Sequence, residues 1–351
     1  IGVYQVLVFR ESRVGVGRLY AADLLGASAG SVIAFITLNA AGAIGALVVV
    51  VVVIGLSFVL IRRVLFATAT ATVPPVAVIL VLAIVTVLIP FEERMLPGQK
   101  WAKEMTLMLD DPESQSSLLE TRWSAFGRVD LVETENSLFR TMFIDGAAGT
   151  KLVRMENGSV SQDVAQTLLF QYMGGVPLLT MESERRQDAA VIGSGGGIDV
   201  VTLLVAGFDA IDAIEINPDF IDIVRESPQY TGGIYNNHPQ VTVHETEGRS
   251  FLRTTDRRYD VILMGLPIIK SVRNFGNHAL TENYLFTTDA FDEYRRALKP
   301  GGMIVLIAHY PNELFKLVTN AVASFASDGL TSAEAMERIV TIGPNDNPTL
   351  I

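Results

Sequence analysis

The sequence predicts an α/β protein in three parts: N-terminal transmembrane helices, a small β-rich element, and a Rossmann-like, mostly parallel sheet with flanking helices. Three observations carry this. The first ninety residues are almost free of charge, short β-like segments punctuated by turns occupy about 121–155, and from residue 189 hydrophobic strands alternate with helical segments. Such alternation implies βαβ units, because parallel strands need a crossover between them. The expected boundaries are 1–90 for the transmembrane region, 91–160 for a linker and the β-rich element, 161–330 for the Rossmann-like nucleoside-binding domain, and 331–351 for a C-terminal tail.

The transmembrane reading rests on where the charges lie. Of 27 Lys and Arg and 38 Asp and Glu, residues 1–90 hold only Arg10, Arg13, Arg18, Arg62 and Arg63 against Glu11 and Asp23. The other 22 basic and 36 acidic residues fall in the remainder, which separates a membrane part from a water-facing part. Two runs, 21–40 and 43–61, are apolar over about the 20 residues a helix needs to cross a bilayer, and 73–90 is a marginal third. Small residues in "GASAGS" and "NAAGAIGA" allow close helix approach. A signal peptide fits poorly, since several apolar runs occur and no small-residue cleavage pattern follows a basic start.

The arginines before the first span and Arg62-Arg63 after the second both favour the cytoplasmic side. The expectation is an integral protein of the cell membrane whose soluble domain faces the cytoplasm, with the bilayer as its partner and 73–90 interfacial or re-entrant; a crossing by 73–90 would instead place the domain outside or break the charge rule. The acidic soluble part excludes nucleic acid as a partner, since phosphate binding relies on clustered Lys and Arg. The absence of cysteine removes disulfides, thiolate metal sites and Cys nucleophiles.

From Phe91 to about Glu120 the chain is polar, and "DDPESQSS" marks a linker or surface loop. "RVDLVET", "FRTMFID" and "TKLVRM", with turns at Asp145-Gly146 and Asn157-Gly158, predict a small antiparallel element. Residues 161–180 read as one helix. Strands are then expected at 189–193, 211–216, 240–244, 259–264 and 302–308, and helices near 197–206, 218–226, 288–298 and 311–325. A sheet of this kind binds its ligand at the carboxyl ends of the strands.

At one such end lies Gly193-Ser194-Gly195-Gly196-Gly197, between a hydrophobic strand and a helix. Glycines let backbone approach a ligand, and the helix N-terminus adds free N–H donors. Glu215, about twenty residues on at the end of the next strand, can accept both hydroxyls of a ribose. The spacing of Gly193, Gly195 and Gly197 is G-x-G-x-G rather than the dinucleotide G-x-G-x-x-G, a pattern of S-adenosylmethionine-type enzymes. Glu247-Gly248, after the third strand, can accept from an adenine amino group, and Asp199 can cap the helix or contact a methionine amino group. "ALKPGGMIVL" is habitual late in the same fold.

With these motifs in place, residues 161–310 resemble the spermidine synthase family, whose Rossmann-like domain uses decarboxylated S-adenosylmethionine. The β-rich element with its "IDG" turn is similar to that family's N-terminal β domain. "VGRLYAADLLGASAG", "VIGSGGGIDV", "EINP", "EGRSFL" and "ALTENYLFT" resemble a membrane-fused subgroup, over about residues 14–325. Those relatives carry more spans before "GRLY", so the resemblance implies other membrane subunits or a separate first membrane half as partners, and is compatible with a homo-oligomer.

The resemblance breaks where the family handles its amine. The catalytic Asp that follows the fourth strand is Gly265 here, and Leu266 replaces the Ser after it. The Tyr-His-Glu of the polyamine pocket aligns with Leu169-Phe170-Gln171, the Gln after the "DG" turn is lost near Gly149, and the Asp in the glycine loop is Gly196. Nearby, "KSVRNFGNHALTENY" supplies Lys270, Arg273, His278, Glu282 and Tyr284, either a solvated loop or a source of Glu282 or His278 as base and Tyr284 as a wall of the acceptor pocket. His309 is a packing or pocket residue, while His238 and His244 read as structural or exposed. No metal is expected, because no two histidines have ligand spacing with a carboxylate nearby.

Two functions follow. One is a membrane-anchored transferase that moves a methyl or aminopropyl group from S-adenosylmethionine or its decarboxylated form. The other is a catalytically degenerate subunit that senses a nucleoside or serves as an interaction scaffold. Fold alone does not decide between them.

Overall fold

The computed structural model describes residues 15–65, 103–135, 138–156, 158–265, 284–309, 311–343 and 348–351. The marginal run 73–90 lies outside the described residues, as do Lys270, Arg273, His278 and Glu282. The chain divides into two compact units, Ile1–Gly98 with Arg122–Gly127, and Gln99–Thr121 with Arg128–Ile351.

In the first unit, α1 (Val16–Leu65) is helical throughout except at Gly42. With φ 66° and ψ −170°, Gly42 breaks the helix into two arms at the gap between the two expected spans. Each arm exceeds the roughly 20 residues that cross a bilayer. Val16–Gly55 is long and apolar enough for a membrane by length and composition, and only 11% of its most apolar stretch is buried within the protein. Leu25, Phe35, Ile36 and Ile54 are exposed along it. Ser31, Thr37, Asn39 and Ser57 return their polar groups to carbonyls one turn back, so little unsatisfied polarity is displayed along its length.

The second unit opens with α2 (Glu104–Asp110) and a four-stranded antiparallel sheet, β1 (Ser116–Ser124), β2 (Gly127–Thr134), β3 (Phe139–Ile144) and β4 (Ala147–Val153), in the order 1-2-3-4. The expected linker therefore gives way to α2 and β1. The β3–β4 turn is the expected one: Asp145 and Gly146 both have positive φ, and Asp145 accepts from the Arg128 N–H.

The helix expected over 161–180 is shorter. Ser161 caps α3 (Gln162–Phe170), which stops before Gly174-Gly175 and Pro177, and a 3-10 turn, Val176–Thr180, follows. Two glycines and a proline end a helix through backbone entropy and a missing N–H.

A seven-stranded sheet follows, in the order β10-β11-β9-β8-β5-β6-β7. The five central strands are β5 (Asp188–Ile192), β6 (Ala210–Glu215), β7 (Val241–Glu245), β8 (Tyr259–Gly265) and β9 (Leu298–Ile307), all parallel. Between them run α4 (Ile198–Ala206), α5 (Pro218–Glu226), α6 (Pro228–Thr231), α7 (Gly248–Thr254) and α8 (Thr288–Ala297). After β9 come α9 (Pro311–Ser327) and α10 (Ser332–Met336). The segment 331–351 is not a tail: β11 (Thr349–Leu350) pairs antiparallel with β9, and β10 (Thr341–Ile342) pairs antiparallel with β11 at the sheet edge.

Side chains alternate across the strands and so build a core on each face. Ala189, Val191, Val261 and Leu263 pack with α4, α5, Leu152 of the small sheet and Met155 just after it. Ala190, Ile192, Ile262 and Met264 pack with Phe291 and Tyr294 of α8. The first core thus joins the small sheet to the parallel one beneath the glycine loop.

Candidate nucleoside-binding site

The loop Gly193–Gly197 leaves the carboxyl end of β5 and enters α4. Gly193, Gly195 and Gly197 have φ of 74°, 46° and 89°, a left-handed path that side-chain-bearing residues resist. A side chain at Gly197 would also meet Ile234, and one at Gly195 would meet Thr150. Three contacts fix the loop. Gly196 N–H donates to Thr150 Oγ1 at 3.1 Å, from β4. The Tyr235 hydroxyl donates to the carbonyls of Ser194 and Gly195 at 3.1 and 3.2 Å. Gly195 N–H donates to Glu215 Oε2 at 2.9 Å.

Glu215 ends β6 and is buried. Its second oxygen accepts from Asn217 N–H at 2.8 Å. Burial pushes its carboxyl upward, while the N–H groups of Asn217, Gly195 and Ile216 hold it down. Three N–H groups leave part of the carboxylate's acceptor capacity unused, since an ionised carboxylate has about four lone-pair sites. Beside it, the buried Ser194 hydroxyl and Asn217 side-chain amide nitrogen have no hydrogen-bond partner among the described residues. Buried polar groups are nearly always paired, so two unpaired atoms in the loop and in the turn after Glu215 mark a candidate polar ligand site. A nucleoside, with ribose hydroxyls that both donate and accept, fits them.

Glu247 follows the third parallel strand, β7. It is the N-cap of α7, and its two oxygens accept from Arg249 N–H and Ser250 N–H at 2.9 and 2.7 Å. Gly248 brings that turn against the side chain of Ile192, at the end of β5.

Asp199, in the first turn of α4, is buried and does not cap its helix. The Tyr172 hydroxyl donates to its Oδ1 at 2.5 Å, and Gly265 N–H also bonds its carboxylate. Burial raises the Asp199 carboxyl to about 6, against the opposing pull of those two donors. The Tyr172 hydroxyl is pushed well up, by burial first and then by the Asp199 charge.

Three of the other expected residues, Tyr284, His309 and His244, fall within the described residues. Tyr284 is half-exposed, packs its ring against the Arg249 guanidinium, and accepts from Arg249 through its carbonyl. His309 is buried against Glu313, and His244 pairs with Asp212. Among the described residues no group of three or more His, Cys, Asp or Glu is arranged to hold a metal ion.

Thr150, Tyr172, Ser194, Asn217 and Tyr235 were not expected at the site. Asn217-Pro218 carries a readable cap signal, and its side chain accepts from Asp219 N–H. Thr150, Tyr172 and Tyr235 are brought in by tertiary packing, and no spacing marks them.

A parallel sheet with a glycine loop at its first crossover and a carboxylate at the next strand end defines a Rossmann-like α/β domain. Residues 169–342 match the family model described as a spermine/spermidine synthase domain. A polyamine aminopropyltransferase of Nitrosomonas europaea is 29% identical over 198 residues, 56% of this chain and 54% of that one. One from Streptococcus pneumoniae is 32% identical over 117 residues, 33% of this chain and 37% of that one. Among solved structures, spermidine synthase from Thermotoga maritima covers 66% of this chain and 70% of its own, with a TM-score of 0.44 at 15% identity. A spermidine synthase in complex with the transition-state analogue AdoDATO has a TM-score of 0.42 at 15% identity, covering 66% and 71%. Residues 169–342 are thus similar to a spermine/spermidine synthase domain. The chain spans about half the length of the Nitrosomonas relative and about a third of the streptococcal one.

Proposed function

We propose that this chain is a membrane-anchored transferase that binds a sulfonium nucleoside, S-adenosylmethionine or its decarboxylated form, and passes an alkyl group, methyl or aminopropyl, to an acceptor. The observation that carries the reading is the buried Glu215 bonded to the glycine loop at the ends of β5 and β6, with the unpaired Ser194 hydroxyl in that loop and the unpaired Asn217 amide in the turn that follows Glu215. Polyamine aminopropyltransferase relatives support the same donor class. The exposed apolar helix Val16–Gly55 supports anchoring in a bilayer. The cytoplasmic face suits a donor made in the cytoplasm, and other membrane subunits or a second copy are compatible partners.

Displacement at a sulfonium carbon asks chiefly for alignment of acceptor and carbon. The residues of this chain therefore hold the nucleoside, orient it through the glycine loop, and exclude water behind Thr150 and Tyr235. A second reading, a nucleoside-sensing or scaffolding subunit, is favoured by one observation: β8 ends in Gly265, with no carboxylate of its own.

Calorimetry with S-adenosylmethionine, its decarboxylated form and methylthioadenosine tests the proposal on the full chain in detergent. Binding of at least one, weakened by Glu215→Ala, is the expected result. Binding of none overturns both the transferase and the nucleoside-sensor readings. Binding without transfer of label from either donor to any membrane or soluble acceptor favours the sensor.

A further inference from the structure

The end of β8 is filled by a side chain from another element. A Cβ placed on Gly265 would collide with Asp199 Oδ2 and lie 3.0 Å from the Tyr172 hydroxyl. One on Gly174 would lie 3.2 Å from Asp199 Oδ1. The absence of side chains at 174 and 265 makes the space that the Asp199 carboxylate occupies, at the carboxyl ends of the parallel strands beside the nucleoside loop. Tyr172 O–H and Gly265 N–H hold it there.

Resting on the transferase reading above, we propose that Asp199 is the catalytic carboxylate of the transfer, delivered from the first turn of α4 to the place a residue at 265 would occupy, and that Tyr172 is its positioning residue. Of the three carboxylates near the loop, Glu215 accepts from the loop with one oxygen and from Asn217 N–H with the other, and Glu247 caps its own helix through both oxygens. Asp199 instead directs its second oxygen toward the end of β8. The acceptor this assigns is a primary amine, from a free polyamine or a lipid headgroup.

The step balances without a further reactant. An acceptor ammonium gives a proton to Asp199, and the freed nitrogen lone pair attacks the carbon on the sulfonium. A nitrogen–carbon bond forms, the carbon–sulfur bond breaks, and its electron pair goes to sulfur, leaving a neutral thioether and a secondary ammonium. Asp199 then releases its proton to water. A base that titrates near neutrality suits this task, and Asp199 is raised to about 6. The groups facing it are Tyr172, the Gly265 N–H and, beyond the loop, Tyr235, whose hydroxyl is pushed up by burial first and then by Glu215 and Asp199.

The test uses the full chain in detergent and four variants: Asp199→Asn, Tyr172→Phe, Asp199→Ala, and Asp199→Ala combined with Gly265→Asp. Methylthioadenosine binding is measured first, and Asp199→Asn should bind within about threefold of the parent. Transfer is then followed from S-adenosylmethionine and its decarboxylated form to putrescine, to spermidine and to phosphatidylethanolamine vesicles, which separates free from lipid amines. Asp199→Asn should lose on the order of 100-fold or more in kcat, the usual contribution of a general base.

Tyr172→Phe removes a donor that lowers the Asp199 pKa, so the acid limb of its rate profile should move to higher pH. Returning a carboxylate at 265 should raise the rate of Asp199→Ala at least tenfold. Parental turnover by Asp199→Asn would overturn the proposal. So would an unmoved acid limb in Tyr172→Phe, or a combined variant that binds methylthioadenosine yet stays as slow as Asp199→Ala. A parent that binds the nucleoside but transfers to none of the amines would overturn the amine assignment alone, whereas a parent that binds no nucleoside overturns the underlying transferase reading.

Discussion

Replacing Asp199 with Asn should make the protein more stable at neutral and alkaline pH. Burial raises the Asp199 carboxyl from an ordinary 3.8 to about 6, so the folded state binds its proton more tightly than the unfolded chain does. Unfolding free energy therefore falls as pH rises through about 4 to 6 and stays reduced above that window. That interval corresponds to about 3 kcal/mol at 1.36 kcal/mol per tenfold change in acidity.

Asn removes the charge yet keeps both partners. Its carbonyl can accept from Gly265 N–H, while its amide donates to the Tyr172 oxygen, since a hydroxyl can reverse its role. For a unit of this size the gain corresponds to roughly 6–12 °C in Tm. Thermal unfolding in detergent at pH 4, 6 and 8 measures it: the two proteins should match at pH 4 and separate by pH 8. An Asn variant less stable than the parent at pH 8 would show that the hydrogen bonds to the carboxylate outweigh its desolvation. Asp199 would then be a structural residue.

Other outcomes follow from the same geometry. Glu215→Gln should turn an amide N–H₂ toward either Gly195 N–H or Asn217 N–H, costing about 1–3 kcal/mol of stability and at least tenfold in nucleoside affinity, by denaturation and calorimetry. Gly197→Ala forces a side chain into a left-handed position against Ile234, so the loop should disorder at a cost of about 1–3 kcal/mol, with nucleoside binding lost. Arg249→Ala strands Glu293, its buried partner at 2.6 Å, and should cost about 3–5 kcal/mol in chemical denaturation; Arg249→Met with Glu293→Leu should recover much of that.

How much of this could be read beforehand depended on whether a feature was local. The helix at 218–226 was legible to the residue, because Asn217 caps it and Pro218 opens it. Strands β5 and β8 were legible because both faces are buried and their runs are largely apolar. The two-residue strands β10 and β11 have no period to detect, and β1 carries only a weak alternation of half-buried residues. The break after Phe170 was signalled by Gly174-Gly175-Val176-Pro177, which the apolar run around it masked. At the site, glycines and strand-end carboxylates announced themselves by spacing. The Tyr172–Asp199 contact joins side chains 27 residues apart and leaves no such mark.

The three acidic residues around the loop differ less in kind than in their donors, and the donors separate their roles. Glu247 spends both oxygens on N–H groups of its own helix start, so its removal should unwind α7 first. Glu215 spends its two on N–H groups of the glycine loop and of the turn into α5. Its position is therefore set before any ligand arrives, which lowers the ordering cost of binding a ribose. Asp199 alone is held by a side-chain hydroxyl, and burial raises its carboxyl to about 6. A carboxylate that only stapled the fold would gain from being fully ionised and fully bonded. One held buried at a stability cost is the arrangement expected where proton transfer matters. A glycine at the end of β8 is then no sign of lost chemistry, because the space it leaves is what admits the carboxylate of Asp199.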